Sequence, residues 1–155
     1  MKNNDHGGAN KNVSPPSPAS FPHRMNAQLR FNDIDILGHL NNTVYFSLYD
    51  MGKARYMESA GLRPKGQSRP DTVIADIHCA YLKPILFDDS IDVLTRCSHI
   101  GEKSYTLEQM LVDKDDEVRS VCRTVMVYID HESLRPAPIP EEYIKKIKNF
   151  EADHG

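Results

Sequence analysis

Residues 42–60, NTVYFSLYDMGKARYMESA, predict one long helix. Asn41 or Asn42 can cap its first turn, and Gly61 is a suitable residue to end it. Two adjacent stripes of residues repeat at helical spacing, and together they form a face wide enough to bury the helix along much of its length. The first stripe is Val44, Leu48, Met51 and Arg55, and the second is Tyr45, Tyr49, Gly52 and Tyr56. A helix of this length would span ~28 Å.

Alternating apolar and polar residues predict five strands around this helix. One precedes it, starting near Met25, and four follow at roughly 72–82, 90–100, 103–113 and 117–130. In the last of these, the even-numbered residues from Val118 to Tyr128 share one face and the odd-numbered residues share the other. Short turns favour an antiparallel meander, and the long helix can cover its apolar face. The predicted class is therefore α+β, with an antiparallel sheet of about five strands wrapped around one helix.

The two ends of the chain differ in composition. Residues 1–24 contain four of the ten prolines and many Asn, Gly and Ser residues, which predicts a disordered tail. A single folded domain is then expected over residues 25–150. Near its end, a short helix is predicted, with Glu141 and Glu142 at its start and Lys145, Lys146 and Lys148 near its end, in agreement with the helix dipole.

Bulk composition excludes several classes of function. The net charge of −3 offers no broad basic surface, so nucleic acid is not an expected partner. Three widely spaced cysteines without a CxxC pair argue against a disulfide framework or a zinc knuckle, and favour a reduced, cytoplasmic protein. No apolar run approaches the ~20 residues that span a bilayer. The histidines lack metal-ligand spacing, and we expect neither a metal nor a cofactor.

The densest polar cluster is residues 33–45, DIDILGHLNNTVY. The first turn of the predicted helix has unpaired N–H groups and the positive end of the dipole, which suit an oxygen that becomes negative during reaction. Gly38 lets the backbone turn sharply, and Asp35 lies just upstream. A carboxylate beside an oxyanion site is the minimum equipment for acyl transfer. The same residues also fit an ordinary turn and helix cap, so the local pattern leaves both interpretations open.

A family resemblance adds to this pattern. Residues 30–45, RFNDIDILGHLNNTVY, resemble the D-x-D-x-x-G-H-x-N-N-x-x-Y signature of hot-dog thioesterases, in the branch of 4-hydroxybenzoyl-CoA thioesterase and related acyl-CoA thioesterases. The likeness continues through residues 81–89, 100–104 and 135–143, and so covers about residues 25–145. It implies a hot-dog fold, thioester hydrolysis of an acyl-CoA, and a homodimer or homotetramer.

The resemblance also implies roles for single residues. Asp35 matches the active-site Asp, as nucleophile or general base, and the backbone N–H of Asn42 would polarise the thioester carbonyl. His39 and the Asn42 side chain would shape the site. The remaining substrate-binding candidates are Gly38, Asn41, Tyr45 and Ser104. Benzoyl-type enzymes have aromatic or small apolar residues where this chain has His39 and Asn41-Asn42, which leaves fatty acyl groups open as substrates.

Two other functions remain open at this stage. One is a non-catalytic hot-dog protein that binds acyl-CoA or an acyl-carrier protein. The other is a hot-dog dehydratase, although the Asp-x-Asn-Pro-x-His pattern of that group is missing. The thioesterase branch that uses a helix Glu fits less well, because Glu58 lies close to the end of the predicted helix.

Overall fold

The computed structural model describes residues 14–63, 66 and 69–154. Its five strands are β1 (His23–Ala27), β2 (Thr72–Tyr81), β3 (Ile91–Ile100), β4 (Ser104–Val112) and β5 (Val118–Tyr128), and its two α-helices are α1 (Asn42–Ser59) and α2 (Glu141–His154). Short 3-10 helices lie at Pro18–Ser20 and Phe31–Asp33. The α+β class is confirmed, and β2 to β5 begin and end within two residues of their predicted bounds.

Local signals at both ends explain the bounds of α1. Asn41 is the N-cap, and its side-chain Oδ1 accepts a hydrogen bond from the N–H of Thr43 at 3.0 Å. At the other end Gly61 has φ +72°, a left-handed conformation that glycine adopts without strain, and its N–H donates to Glu58 O. The predicted helix therefore ends within one residue of the observed one.

The two predicted stripes of α1 have different environments. Tyr45, Tyr49, Gly52 and Tyr56 are all buried against the sheet. At Gly52 a Cβ atom would lie only 2.5 Å from Val93 Cγ1, so the helix is too close to the sheet there for a side chain. In the second stripe Val44 and Leu48 are half-buried, whereas Met51 and Arg55 are exposed. The prediction of one wide buried face is wrong for this second half, because the tyrosine stripe is the one centred over the sheet.

The order of strands in the sheet is β1-β3-β4-β5-β2, with every neighbouring pair antiparallel. The predicted meander is correct for β3, β4 and β5. It is wrong for β2, which pairs with β5 at the far edge instead of with β3. The connection over residues 82–90 must span three strand spacings, about 14 Å, which is within its reach. Ile85, in the middle of this connection, is fully buried and anchors it.

The terminal helix α2 is longer than predicted, with 14 residues ending at His154. The three lysines expected near its end therefore lie in its first two-thirds. Its last turns are fixed by long-range contacts, since Glu151 Oε1 accepts hydrogen bonds from Tyr56 Oη at 2.5 Å and from the Cys97 N–H at 2.6 Å. Sequence patterns do not include such contacts, so the helix end was predicted too early.

The N-terminal region also differs from its prediction. Residues 1–13 of the predicted tail lie outside the described residues. Residues 14–24 contain a short helix, Pro18–Ser20, and the first two residues of β1. Phe21 is buried on the sheet face opposite α1, with the Arg96 guanidinium 4.8 Å from its ring centroid. Among the described residues, no helix is long and apolar enough to cross a membrane.

Candidate active site

A tight turn over residues 35–39 reverses the chain just before α1. Asp35 O accepts a hydrogen bond from the Gly38 N–H at 3.0 Å, and the Asp35 N–H donates to His39 O at 3.0 Å. Gly38 has φ +79°, while the space where its Cβ would lie is empty. Backbone conformation, not crowding, therefore requires glycine here. The turn brings Asp35 back toward the start of α1.

The Asp35 carboxylate is half-buried and held at one oxygen. Oδ1 accepts a hydrogen bond from the Leu37 N–H at 2.9 Å. Within the described part of the chain, Oδ2 has no hydrogen-bond partner. This arrangement fixes the direction of the side chain and leaves one oxygen with its lone pairs available, as required of either a nucleophile or a general base.

Asp33 fixes the turn relative to the helix. Its buried carboxylate accepts hydrogen bonds from the Arg30 N–H at 2.8 Å and from Arg30 Nη2 at 3.1 Å, while its carbonyl oxygen accepts one from the Asn41 N–H at 2.8 Å. Burial alone would raise the pKa of Asp33, but the hydrogen bonds and the charge of Arg30 outweigh it and leave the pKa lowered. Asp33 was not among the predicted site residues, although it is the first Asp of the D-x-D motif.

The backbone N–H of Asn42, in the first turn of α1, is available to donate a hydrogen bond. Asn41 caps the Thr43 N–H with its side chain and the Val44 N–H with its carbonyl oxygen. Among the described residues the Asn42 N–H has no hydrogen-bond partner. It lies at the positive end of the helix dipole, where an N–H group attracts a negatively charged oxygen. The N–H that the resemblance assigns to carbonyl polarisation is therefore free to donate.

A cleft of about 310 Å³ opens at this end of α1, lined by His39, Leu40, Asn42, Tyr45, Tyr81, Leu82, Lys83 and Pro84. Two of the predicted residues have distinct roles in its wall. His39 is exposed, whereas Tyr45 is buried, and burial raises the pKa of Tyr45 so that its hydroxyl stays neutral. The Tyr45 ring packs edge-on against Tyr81 with centroids 4.7 Å apart. Lys83 forms an ion pair with Glu117.

Tyr81 lines this cleft, although it was not among the predicted site residues. Its hydroxyl donates to Asn42 O at 3.1 Å and so connects the end of β2 to the start of α1. The available signal was its position at the start of residues 81–89, the second block that carries the family resemblance.

Of the predicted site residues, His39, Asn42 and Tyr45 line the cleft, while Asp35, Gly38 and Asn41 lie in the segment that leads into α1 and are not part of its lining. Ser104 lies far from the cleft within a single chain. It is the first residue of β4 and pairs with Val127, whereas Tyr81 pairs with Ser120. Those two positions on β5 are seven residues apart, roughly 23 Å. Within one chain Ser104 shapes a turn instead, because its carbonyl oxygen accepts the Gly101 N–H at 2.7 Å.

The described residues contain no group of three or more His, Cys, Asp or Glu side chains positioned to hold a metal ion.

The chain is similar in sequence and in fold to known thioesterases. A family model described as the thioesterase-like superfamily matches residues 29–147. A thioesterase of Thermus thermophilus, solved with coenzyme A and zinc, is 31% identical, with a TM-score of 0.75 over 86% of this chain and 97% of that one. The YsmA protein of Bacillus subtilis is 25% identical over 114 residues, which cover 74% of this chain and 77% of YsmA.

A more distant enzyme has the same fold. The 4-hydroxybenzoyl-CoA thioesterase of Pseudomonas sp. strain CBS-3 is 21% identical and has a TM-score of 0.72, over 80% of this chain and 97% of that one. At this identity the likeness concerns the fold alone. The five antiparallel strands and the long helix α1 are thus the hot-dog fold that the sequence resemblance implied.

Proposed function

Since the chain belongs to the thioesterase-like superfamily and is an enzyme that hydrolyses thioesters, we propose that its substrate is an acyl-CoA and that Asp35 is its catalytic carboxylate. One observation carries the proposal. The turn that orients the Asp35 carboxylate ends at the first turn of α1, where the Asn42 N–H is free to donate. The short segment of residues 35–42 thus contains both the Asp35 carboxylate, which has one available oxygen, and the Asn42 N–H, which can donate to an oxyanion.

Each group has a defined step in this mechanism. The thioester carbonyl oxygen accepts a hydrogen bond from the Asn42 N–H, which stabilises the negative charge that develops when the carbonyl is attacked. Asp35 Oδ2 either attacks the carbonyl carbon or takes a proton from the attacking water. As general base, Asp35 passes the proton taken from water to the departing sulfur, the C–S bond breaks, and the products are the free acid and CoA thiol. As nucleophile, Asp35 displaces CoA thiolate and forms a mixed anhydride. Water then hydrolyses this anhydride to the free acid, restores the carboxylate and supplies the proton that the thiolate takes up. His39 and Tyr81 line the cleft and position the substrate.

Coenzyme A as the carrier is supported by the Thermus thermophilus relative, which was solved with it. In this chain Lys83 is the cation that lines the cleft, where it can meet a phosphate of the carrier in competition with Glu117. Arg96, another candidate cation, is instead engaged by Glu108 at 2.6 Å on the other face of the sheet. We therefore assign any phosphate contact near the cleft to Lys83.

A second copy of the chain would complete the site. Strand β2 is an edge strand, and Val73 and Ile74 on it are exposed, so its free backbone groups can pair with another β2. Ile36, beside Asp35, is 100% exposed, as expected of a residue that a partner or an acyl chain covers. Antiparallel pairing would also bring Ser104 of the partner subunit closer to the cleft. We thus propose a homodimer as the smallest active unit.

Replacement of Asp35 by Ala and by Asn tests the catalytic assignment. Hydrolysis of short, long and aromatic acyl-CoAs is followed by the loss of thioester absorbance, which avoids thiol reagents that react with the protein's cysteines. We expect kcat to fall by about 10²-fold or more in both variants. Asp153→Asn, an exposed Asp on α2, is the matched control and should keep full activity. Full activity in Asp35→Ala would refute the assignment.

The family match favours hydrolysis over the dehydratase and over the non-catalytic binder. The same enzyme preparation distinguishes them directly. A hydrolase releases CoA thiol, a dehydratase changes the absorbance of an enoyl-CoA without releasing thiol, and a binder does neither.

A further inference from the structure

Two of the three cysteines, far apart in the sequence, lie opposite each other in the sheet. Cys79 on β2 is the cross-strand partner of Cys122 on β5. At the end of the same pair of strands the Leu82 N–H donates to Arg119 O, so that pair is hydrogen-bonded. Because hydrogen-bonded and non-hydrogen-bonded pairs alternate, Cys79 and Cys122 form a non-hydrogen-bonded pair, in which Cα atoms are about 4.5 Å apart and side chains are closest.

This pairing fits the geometry of a disulfide. Directly opposite residues point to the same face of the sheet, here the face toward α1, where Tyr49 contacts Ser120. A disulfide needs Cα atoms roughly 4.4–6.8 Å apart, and the expected separation lies within that range. The strands therefore need little movement to close the bond.

The two thiols differ in a way that favours reaction between them. Interaction with the Cys122 thiol opposite it is the main cause that lowers the pKa of Cys79, and Ser120 Oγ, 3.5 Å from Cys79 Sγ, adds to it. The same contact and burial raise the pKa of Cys122. Cys79 is thus the better nucleophile, and its half-buried side chain can be reached by a small oxidant.

We propose that Cys79 and Cys122 are a redox-active pair of thiols that a peroxide converts into a cross-strand disulfide. The Cys79 thiolate attacks a peroxide oxygen, the O–O bond breaks, and a sulfenic acid forms with release of hydroxide or, after protonation, water. The Cys122 sulfur then attacks the sulfenic sulfur, forms the S–S bond and expels a second water. Two thiols lose two electrons in total, and one hydrogen peroxide is reduced to two waters.

The third cysteine supplies an internal comparison. Cys97 lies on β3, away from this pair, and burial raises its pKa to about 12. Its thiol donates to His99 O at 3.5 Å and has no cysteine opposite it, because its partner on β4 is Leu107. Cys97 should therefore remain a thiol under peroxide.

The test uses the reduced full-length chain, treated with hydrogen peroxide and then denatured for thiol counting and for mapping of a non-reduced digest. We expect the free thiols to fall from three to one per chain, with a peptide that links Cys79 to Cys122. Cys97→Ser should form the same link. Cys122→Ser should form none and should instead accumulate a sulfenic acid at Cys79, which dimedone traps.

The proposal would be overturned if all three thiols remained free at a peroxide concentration that oxidises an ordinary thiol. A disulfide that involves Cys97 would also overturn it. So would a Cys79–Cys79 disulfide between two chains, which would appear as a dimer on a non-reducing gel. Thermal unfolding of each variant before oxidation establishes that it is folded. Thiol chemistry is measured here independently of thioester hydrolysis, so this inference and the proposed function fail or succeed separately.

Discussion

The hydroxyl of Tyr81 donates a hydrogen bond to the carbonyl oxygen of Asn42 at 3.1 Å. This bond joins the end of edge strand β2 to the first residue of α1, although the two residues are 39 positions apart in the sequence. The peptide unit that follows Asn42 is thereby held in place beside the N–H that would meet the thioester carbonyl. The orientation of the proposed oxyanion donor thus depends on a strand from elsewhere in the chain.

Tyr81→Phe tests that dependence, because it removes the hydroxyl and keeps the ring that packs on Tyr45. Loss of one hydrogen bond, worth about 1 kcal/mol, should reduce kcat/KM by about 5-fold with little change in the unfolding temperature. Steady-state kinetics measure the effect. Tyr81→Leu, which also removes the ring contact, should lose more activity and more stability, and equal activity in all three proteins would show that the bond is not used.

Gly38→Ala should destabilise the protein by about 1–2 kcal/mol, since alanine is strained at φ +79° even though its Cβ has room. Gly38→Asn is the matched control, because asparagine tolerates the left-handed region and should recover part of the loss. Urea unfolding of the three proteins measures the difference. An alanine variant as stable as the original would mean that the turn can be rebuilt with another conformation.

Asp33→Asn should reduce stability at neutral pH by about 1 kcal/mol, a figure kept low because the Arg30 guanidinium is mostly exposed. The pKa of Asp33 is lowered by folding, so its contribution is fully present above the unfolded value of 3.8 and is lost as pH falls through the folded pKa. Stability of the Asn variant should therefore fall less on acidification. Urea unfolding at a series of pH values compares the two slopes, and parallel slopes would contradict the prediction.

Alkylation by iodoacetamide should label Cys79 at lower pH than an ordinary thiol, whose pKa is 9.0, because hydrogen bonds stabilise the Cys79 thiolate. Site-resolved mass spectrometry gives the rate at each cysteine across pH. Cys97, with its raised pKa, should stay nearly unlabelled in the same samples. In Cys122→Ser, alkylation of Cys79 should begin at a higher pH, because the interaction with the Cys122 thiol that contributes most to lowering the Cys79 pKa is changed.

Glu151→Ala should cost about 2–3 kcal/mol, because it leaves the buried Tyr56 hydroxyl and the Cys97 N–H without their acceptor. Glu151→Gln keeps an acceptor oxygen and should cost less. Thermal unfolding ranks the two variants against the parent protein. If Ala and Gln are equally stable, the end of α2 is held by the packing of Phe150 on Tyr56 instead.

The elements whose signals are local could be predicted from the sequence. Asn41 and Gly61 mark the ends of α1 whatever surrounds them, because a cap acts within its own turn. Alternation over Val118–Tyr128 predicted β5 and the two sets of residues on its opposite faces, although not which face would be buried. The motif around Asp35 was likewise readable, since its turn closes through hydrogen bonds between residues 35 and 39.

Local signals in the sequence thus predict the helices and strands, the turn at Gly38 and the family. Four relationships become visible only in the folded chain: β2 lies beside β5, Tyr81 reaches Asn42, Ser104 lies far from the cleft of its own chain, and Cys79 faces Cys122. The physical reason is that strand alternation has the same period whichever strand lies alongside. The choice of neighbour follows from long-range packing, here from the buried Ile85 that carries residues 82–90 across the end of the sheet.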